Sequence, residues 1–547
     1  MTERSSPSPT SCLRIPNRPA KLQEQRNSML SLPLRATRTR LLLPRSPTFT
    51  RTMSSSIYVL PVDPTSPSTP SAAKASGVDA AKLWHTAPGA AKAKAGTTHL
   101  FYGESAVTAL TSLGEKFAQK TCAERREVVR KAVGSAVKKV RDLGEDVRGS
   151  EVLVDASADA HAAAVAAHLA AYKFTLKTKP VSPFDPRLNE AQPEHWLKLA
   201  PLAKDKDWET GVVYARAQNL ARTLMELPAN IMTPTAFTER IKAEFAGVPN
   251  VEVIVRDAEW AAEKGMNTFL SVTKGTSEPA KFLEIHYKGA ARDATPLVFV
   301  GKGITFDSGG ISLKPAAGMS LMRGDMGGAA TVCAAALAIA QLQVPINLVV
   351  LTPLTENMPG PAANKPGDIV YAMNGKSIEI DNTDAEGRLI LSDAIYYGST
   401  EYKPHTLIDV ATLTGSMDYG LGEVYSGVFT NSDSLWNELH AAGEREYDRF
   451  WRMPLDEEYG PQIYSSNADL CNTGGKRAGC CTAALFLKSF VEGVEPADGA
   501  EEPSVRWAHL DIAGSMEASR GYAYQEKGMT GRPTRALIEF ARRLSQQ

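Results

Sequence analysis

From about Gly211 onward the chain alternates short apolar runs with helical stretches, and this rhythm constrains the fold more than any other feature of its 547 residues. Val251 to Val255, Phe282 to Tyr287, Leu297 to Val300, Ile346 to Leu351, Thr406 to Val410 and Ala508 to Ile512 have the length of strands, and helical patterns separate several of them. Ala217 to Leu227 reads as a helix, Pro228 to Thr233 as a turn, and Pro234 to Phe245 as a second helix opened by proline. Alternation of this kind predicts a largely parallel or mixed sheet covered by helices on both faces. In such sheets ligands bind just past the carboxyl ends of the strands, which is where the chemistry is to be sought.

The length suits two domains of unequal size. We therefore expect an α/β protein with a disordered basic leader over residues 1–53, a smaller N-terminal α/β domain with its linker over 54–210, and a larger α/β domain with a central mixed sheet over 211–547. Alanine-rich helical stretches mark the first domain. Its His161 and His168 lie seven apart and could share a helical face, but without a third ligand they read as part of a surface helix. The prolines and charges from Lys179 to Lys206 read as a linker.

Net charge is zero, yet residues 1–53 hold ten basic residues against Glu3 and Glu24, a net of +8 that leaves the remainder at −8. A mildly acidic body has no basic field to hold phosphate backbones, so nucleic acid is not expected as a main partner. No apolar run approaches the ~18 residues of a membrane-spanning helix, and no integral membrane protein is expected. Six cysteines without a CxxC pair give neither a disulfide framework nor a thiolate zinc site, which suits a reducing compartment.

Three segments at strand ends carry acids and bases. After Leu297 to Val300 comes a turn-rich loop with Lys302, Asp307 and Lys314; its glycines do not fit the spacing of a phosphate-binding loop. Asp325 stands before a helix of small residues that runs to about Gln341, where it can serve both as a cap and as a group aimed into the crevice. Asp384 and Glu386 follow the strand-like Ser377 to Ile380. In an extended segment their spacing sends both carboxylates to one side, with Arg388 continuing the alternation. Four carboxylates would repel strongly in a crevice of low dielectric, and two divalent cations would neutralise them. An oxygen-rich set of this kind accepts zinc, manganese, magnesium or cobalt, and no HExxH motif offers a histidine-based alternative.

These segments, with Asn219 to Thr233, the eight residues Asn382 to Leu389, Ala411 to Gly415 and Trp507 to Gly514, closely resemble the leucyl aminopeptidase (cytosol aminopeptidase) family of two-metal exopeptidases. The resemblance spans about Gln218 to the C-terminus. It implies one metal on Asp307, Asp384 and Glu386 and another on Lys302, Asp307, Asp325 and Glu386, with zinc or manganese expected and magnesium or cobalt as alternatives. Lys302 would then have to give up its proton. A metal-bridging hydroxide would attack the peptide carbonyl, Lys314 would stabilise the oxyanion, and Arg388 would hold a bicarbonate acting as general base. Met322, Thr412, Leu413, Gly415, Ala513 and Met516 would form a mostly apolar pocket suited to leucine and similar side chains. The resemblance further implies peptide substrates, a homohexamer and a cytoplasmic location. The arginine, serine and proline content of the leader leaves a mitochondrial transit peptide as the alternative, although its prolines disfavour the amphipathic helix that import needs. Two rival readings are a two-metal phosphoesterase, which does not explain Lys302 among the acids, and a DNA-binding or regulatory role beside peptidase activity.

Overall fold

The computed structural model describes residues 56–103, 106–147, 149–176, 197–499 and 502–546. The expected leader and residues 177–196 of the expected linker lie outside the described residues. The fold is α/β. A first sheet orders the strands Thr98–Tyr102, Ala106–Ser112, Ser56–Val62, Glu151–Val154 and Lys198–Pro201; its first pair is antiparallel and the rest are parallel. Its central strand is buried on both faces, with successive side chains pointing to opposite sides. Ile57 and Val59 join a core with the helices Cys122–Arg141 and Ala160–Ala171, while Tyr58, Leu60 and Val62 pack with Ala73 and Trp84 on the other face.

The helix Ala160–Ala171 is buried along nearly its whole length, so the surface-helix reading of His161 and His168 is corrected. Its alanines carry the reason: a helix apolar all round is sandwiched, not solvated. His161 Nε2 lies 2.9 Å from Glu446 Oε1, across to the larger sheet's helices. The helix Lys206–Glu226, capped by Asp205, runs through Gly211 and packs on this alanine face. A Cβ on Gly211 would come within 2.8 Å of the Ala164 methyl.

The second sheet orders Phe450–Arg452, Ser426–Thr430, Arg506–Asp511, Thr406–Ala411, Leu297–Gly301, Asn347–Asn357, Lys281–Lys288 and Val251–Arg256, with Gly303–Asp307 also paired to the second half of Asn347–Asn357. The four central strands are parallel, and antiparallel partners flank them on both sides. Nearly every residue along them is buried, and successive side chains point to opposite faces. Leu297, Phe299, Ile408 and Val410 face the helix Gly327–Gln341, and Val298, Val300, Leu407 and Leu351 face the helix Glu386–Tyr402. Asn347–Asn357 extends six residues beyond the expected Leu351, because Thr352 to Leu354 continue the pairing with Lys281–Lys288 and Leu354 to Asn357 find a partner in Gly303–Asp307. That partner was expected as loop. Here the turn-rich segment begins only at Ser308.

Candidate metal centre

Carboxyl ends of parallel strands supply Lys302 and Asp307, where a doubly covered sheet places its ligands, and neighbouring turns and helix starts supply the remaining acids. Lys302 sits at the break between Leu297–Gly301 and Gly303–Asp307. Its backbone N–H donates to the Val410 carbonyl at 3.0 Å, and its carbonyl accepts from Ala329 N–H at 2.8 Å. Strand and helix therefore clamp it before its side chain is considered. Gly328 allows this approach, since a Cβ there would stand 2.7 Å from the Lys302 nitrogen. Asp307 closes its strand, and its Oδ1 accepts from Gly309 N–H and Asn357 Nδ2, both at 2.8 Å.

Asp325 is not the N-cap of the helix Gly327–Gln341. Met326 occupies that position and makes no side-chain cap bond, while the Asp325 carboxylate accepts the Thr412 hydroxyl at 2.7 Å and pairs with Lys302 Nζ at 2.9 Å. The extended-strand argument for Asp384 and Glu386 is also corrected. The strand Ser377–Ile380 ends first, Asp384 lies in a turn, and Glu386 is the first residue of the helix Glu386–Tyr402. The two carboxylates nevertheless converge. Ligand atoms of Asp307, Asp384 and Glu386 lie within 4.8 Å of one another, and Asp325 joins them through Lys302, whose Nζ is also 2.9 Å from Glu386 Oε1.

Both lysines are counter-ions to the acids. Lys302 Nζ further donates to the Thr412 carbonyl at 3.0 Å, and Lys314 Nζ lies 2.8 Å from Asp307 Oδ2 and 2.5 Å from Asp384 Oδ1. Burial depresses the Lys302 pKa, but the charges of Asp325, Glu386 and Asp307 override it and hold the ammonium above the ordinary lysine value. Lys314 is raised in the same way by Asp307, Glu386, Asp325 and Asp384. Among the acids burial dominates: with the Asp307 charge adding to it, it pushes Glu386 up to about 8, and it pushes Asp325 up to about 6. Asp384 is raised by the same two causes. Too much negative charge is confined here for two ammonium groups to settle it.

Arg388 is not brought onto the acids by side-chain contact. Its Nη1 donates to the Asn472 carbonyl at 2.7 Å, its guanidinium carbon is 6.0 Å from the Phe486 ring centre, and burial lowers its pKa to about 10. Of the expected pocket, Thr412 is bonded to Asp325, and the N–H groups of Leu413 and Ala513 converge on Asp511. Met322 lies on the short turn Met319–Gly324, the Met516 methyl lies 3.5 Å from where a Cβ on Gly324 would be, and Gly415 opens the helix Gly415–Leu421 at an exposed position.

Several residues here carried no signal of their own in the sequence. Asn357 ties Asp307 to the Thr383 carbonyl at 3.0 Å, and the Thr383 hydroxyl donates back to the Gly309 carbonyl at 2.6 Å. Asn472 accepts from the N–H groups of Asp381 (2.9 Å) and Asn382 (3.2 Å) and donates to the Asn382 carbonyl at 2.7 Å. It thus grips the loop that carries Asp384 while holding Arg388. Gly387 is required by close approach: a Cβ there would lie 2.6 Å from the Lys302 side chain. That glycine sits inside the Asn382 to Leu389 signature, which was the available clue.

The donor set fits hard or borderline divalent cations. Asp325 Oδ2 and Glu386 Oε2 are buried with no hydrogen-bond partner among the described residues, an arrangement that is costly unless a cation takes them up. The description of the cytosol aminopeptidase family's catalytic domain matches residues 219–538. Cytosol aminopeptidase of Homo sapiens is 49% identical over 465 residues, 83% of this chain and 84% of that one. That of Dictyostelium discoideum is 45% identical over 466 residues, covering 83% and 86%. The solved structure of bottromycin maturation enzyme BotP in complex with Mn matches with a TM-score of 0.73 at 29% identity, covering 90% of this chain and 100% of that one. These likenesses favour the peptidase over the phosphoesterase and DNA-binding readings. With a family match across more than half its length and relatives near half identity, the chain belongs to the cytosol aminopeptidase family and is a metal-dependent aminopeptidase.

Proposed function

We propose that this aminopeptidase holds two divalent ions, one on Asp307, Asp384 and Glu386 and one on Lys302, Asp307, Asp325 and Glu386, and releases leucine and other apolar N-terminal residues. The observation that carries this is the convergence of Asp307, Asp384 and Glu386 within 4.8 Å beside the buried Lys302 and the partly exposed Lys314, with two acid oxygens unpartnered among the described residues. Zinc or manganese suits the set. Bound ions would supply Lewis acidity toward the peptide carbonyl and make a water acidic enough to attack at neutral pH.

The side chains do the rest. Lys302 must shed its proton to become a ligand, and cations nearby lower its pKa in the needed direction. Lys314, released from Asp307 and Asp384 once their charge is taken up, is the ammonium left to stabilise the oxyanion. Arg388 offers a planar fork suited to an oxyanion such as bicarbonate, which would accept the proton of the attacking water. Asp325 reaches toward the free amine of the substrate, and the pocket of Met322, Thr412, Leu413, Gly415, Ala513 and Met516 receives its first side chain. Asp384→Ala should lose bound metal together with rate, whereas Lys314→Ala should keep metal and lose kcat by a larger factor than KM changes. Elemental analysis that finds full metal in Asp384→Ala, or empty sites in Lys314→Ala, would reverse the assignment.

We further propose a hexamer in the cytoplasm, with the domain division at residues 54–210 and 211–547 and a dispensable leader. Resemblance to the family and the presence of two separate sheets support this. A fully active monomer by light scattering would refute the assembly. Mitochondrial import of a fluorescent fusion only when residues 1–53 are present would refute the location.

A further inference from the structure

Asp511 ends the strand Arg506–Asp511 beside Thr406–Ala411 and is completely buried. All its partners are donors. One oxygen accepts the N–H groups of Leu413 (3.2 Å), Thr414 (3.4 Å) and Ala513 (3.2 Å), and the other accepts the Thr414 hydroxyl at 2.5 Å. Burying a carboxylate carries a heavy desolvation cost, and burial raises the Asp511 pKa accordingly. What the charge gives in return is geometric. Its donors lie on two turns, Thr412 to Gly415 and Ala513 to Met516, which together carry five of the six residues assigned above to the side-chain pocket. The first turn is also bound to the centre, because the Thr412 carbonyl receives Lys302 Nζ at 3.0 Å and the Thr412 hydroxyl reaches Asp325 at 2.7 Å.

We propose that Asp511 is a positioning residue for substrate selectivity: its carboxylate fastens the two turns to each other and so sets the width of the pocket that receives the substrate's first side chain. The inference rests on the pocket assignment made above. Without the carboxylate three inward N–H groups lose their shared acceptor, the turns part to admit water, and a large apolar side chain loses its fit. A glycine substrate, which has no side chain to fit, is spared.

The test measures kcat/KM on leucine amide and glycine amide, with bound metal, for the wild type, Asp511→Ala and Asp511→Asn. In Asp511→Ala the leucine-to-glycine ratio should fall about tenfold, mainly through KM for leucine, as a modest misfit in an apolar pocket commands. Metal content should stay at the wild-type level. Asp511→Asn should recover most of the ratio, because its amide oxygen still accepts three N–H groups and its NH2 can face the Thr414 oxygen. Equal losses on both substrates, or an unchanged ratio, would overturn the proposal. Should Asp511→Ala not fold, Thr414→Val removes one donor of the four and should lower the ratio roughly threefold; no change there overturns it equally. A wild type with no preference for leucine over glycine would instead remove the pocket assignment, and this proposal with it.

Discussion

Replacing Gly387 by alanine puts two effects of opposite sign against each other. Gly387 is the second residue of the helix Glu386–Tyr402, and by helix propensity alone alanine would stabilise it by about 1 kcal/mol. The new methyl, however, would stand 2.6 Å from one carbon of the Lys302 side chain, 2.8 Å from another and 2.7 Å from Nζ, where ordinary contact begins at 3.4 Å. A flexible lysine would normally step aside at little cost. This one is held at 2.9 Å by both Asp325 and Glu386 and at 3.0 Å by the Thr412 carbonyl. Overpacking at a pinned site costs roughly 1 to 3 kcal/mol, so stability should change little or fall slightly. Function should suffer far more. A displacement of about 1 Å in a proposed metal ligand is expected to lower kcat/KM roughly 10²-fold, which is about 2.7 kcal/mol of transition-state stabilisation. Steady-state kinetics on leucine amide, thermal melting and elemental analysis of one preparation would separate the two outcomes. A Gly387→Ala enzyme with wild-type kcat/KM and full metal would refute the claim that Lys302 must stand where it does.

Asn472→Ala should loosen the Asp381 to Ala385 turn, removing three part-buried hydrogen bonds at a cost of about 1 kcal/mol and reducing metal affinity. An unchanged melting temperature and unchanged metal retention would contradict that grip. The raised acids give a pH dependence of definite sign. Glu386 lies at about 8 in the folded, metal-free chain against 4.5 as its ordinary value, so the folded state binds the proton more tightly and this site's contribution to stability falls as pH rises through that window. Metal-stripped wild type should therefore melt progressively lower relative to Glu386→Gln between pH 5 and about 8, and saturating divalent ion should abolish the trend. A flat difference would argue against the raised Glu386.

Local chemistry was legible in the sequence, whereas partnerships across the fold were not. Lys302, Asp307, Asp325, Asp384 and Glu386 each stand near a strand end or helix start, and those positions follow from alternation of apolar runs and turns. The reasons given for some of them fail. Asp384 and Glu386 meet because a turn runs into a helix, not because they alternate along a strand. Asp325 serves Lys302 and Thr412 rather than a helix end. The polar strand end from Thr355 to Asn357 has no apolar pattern to announce it, since its pairing with Gly303–Asp307 is what makes it a strand. Asn472 lies 90 residues from the Asn382 that it grips, and Asp511 lies 97 from Thr414; such pairs follow only from strand order. The helix that carries His161 is buried because its alanines make it apolar all round, a property that the spacing of its histidines does not reveal.

The central claim is that the four acids and Lys302 form a two-ion centre on which peptidase activity depends. It is tested most directly by stripping the chain of metal and titrating manganese or zinc back while following leucine amide hydrolysis and bound metal together. The account predicts no hydrolysis by the stripped chain and full recovery only as the second equivalent per chain binds. Full activity in the stripped chain, or saturation of both activity and binding at one equivalent, would contradict it.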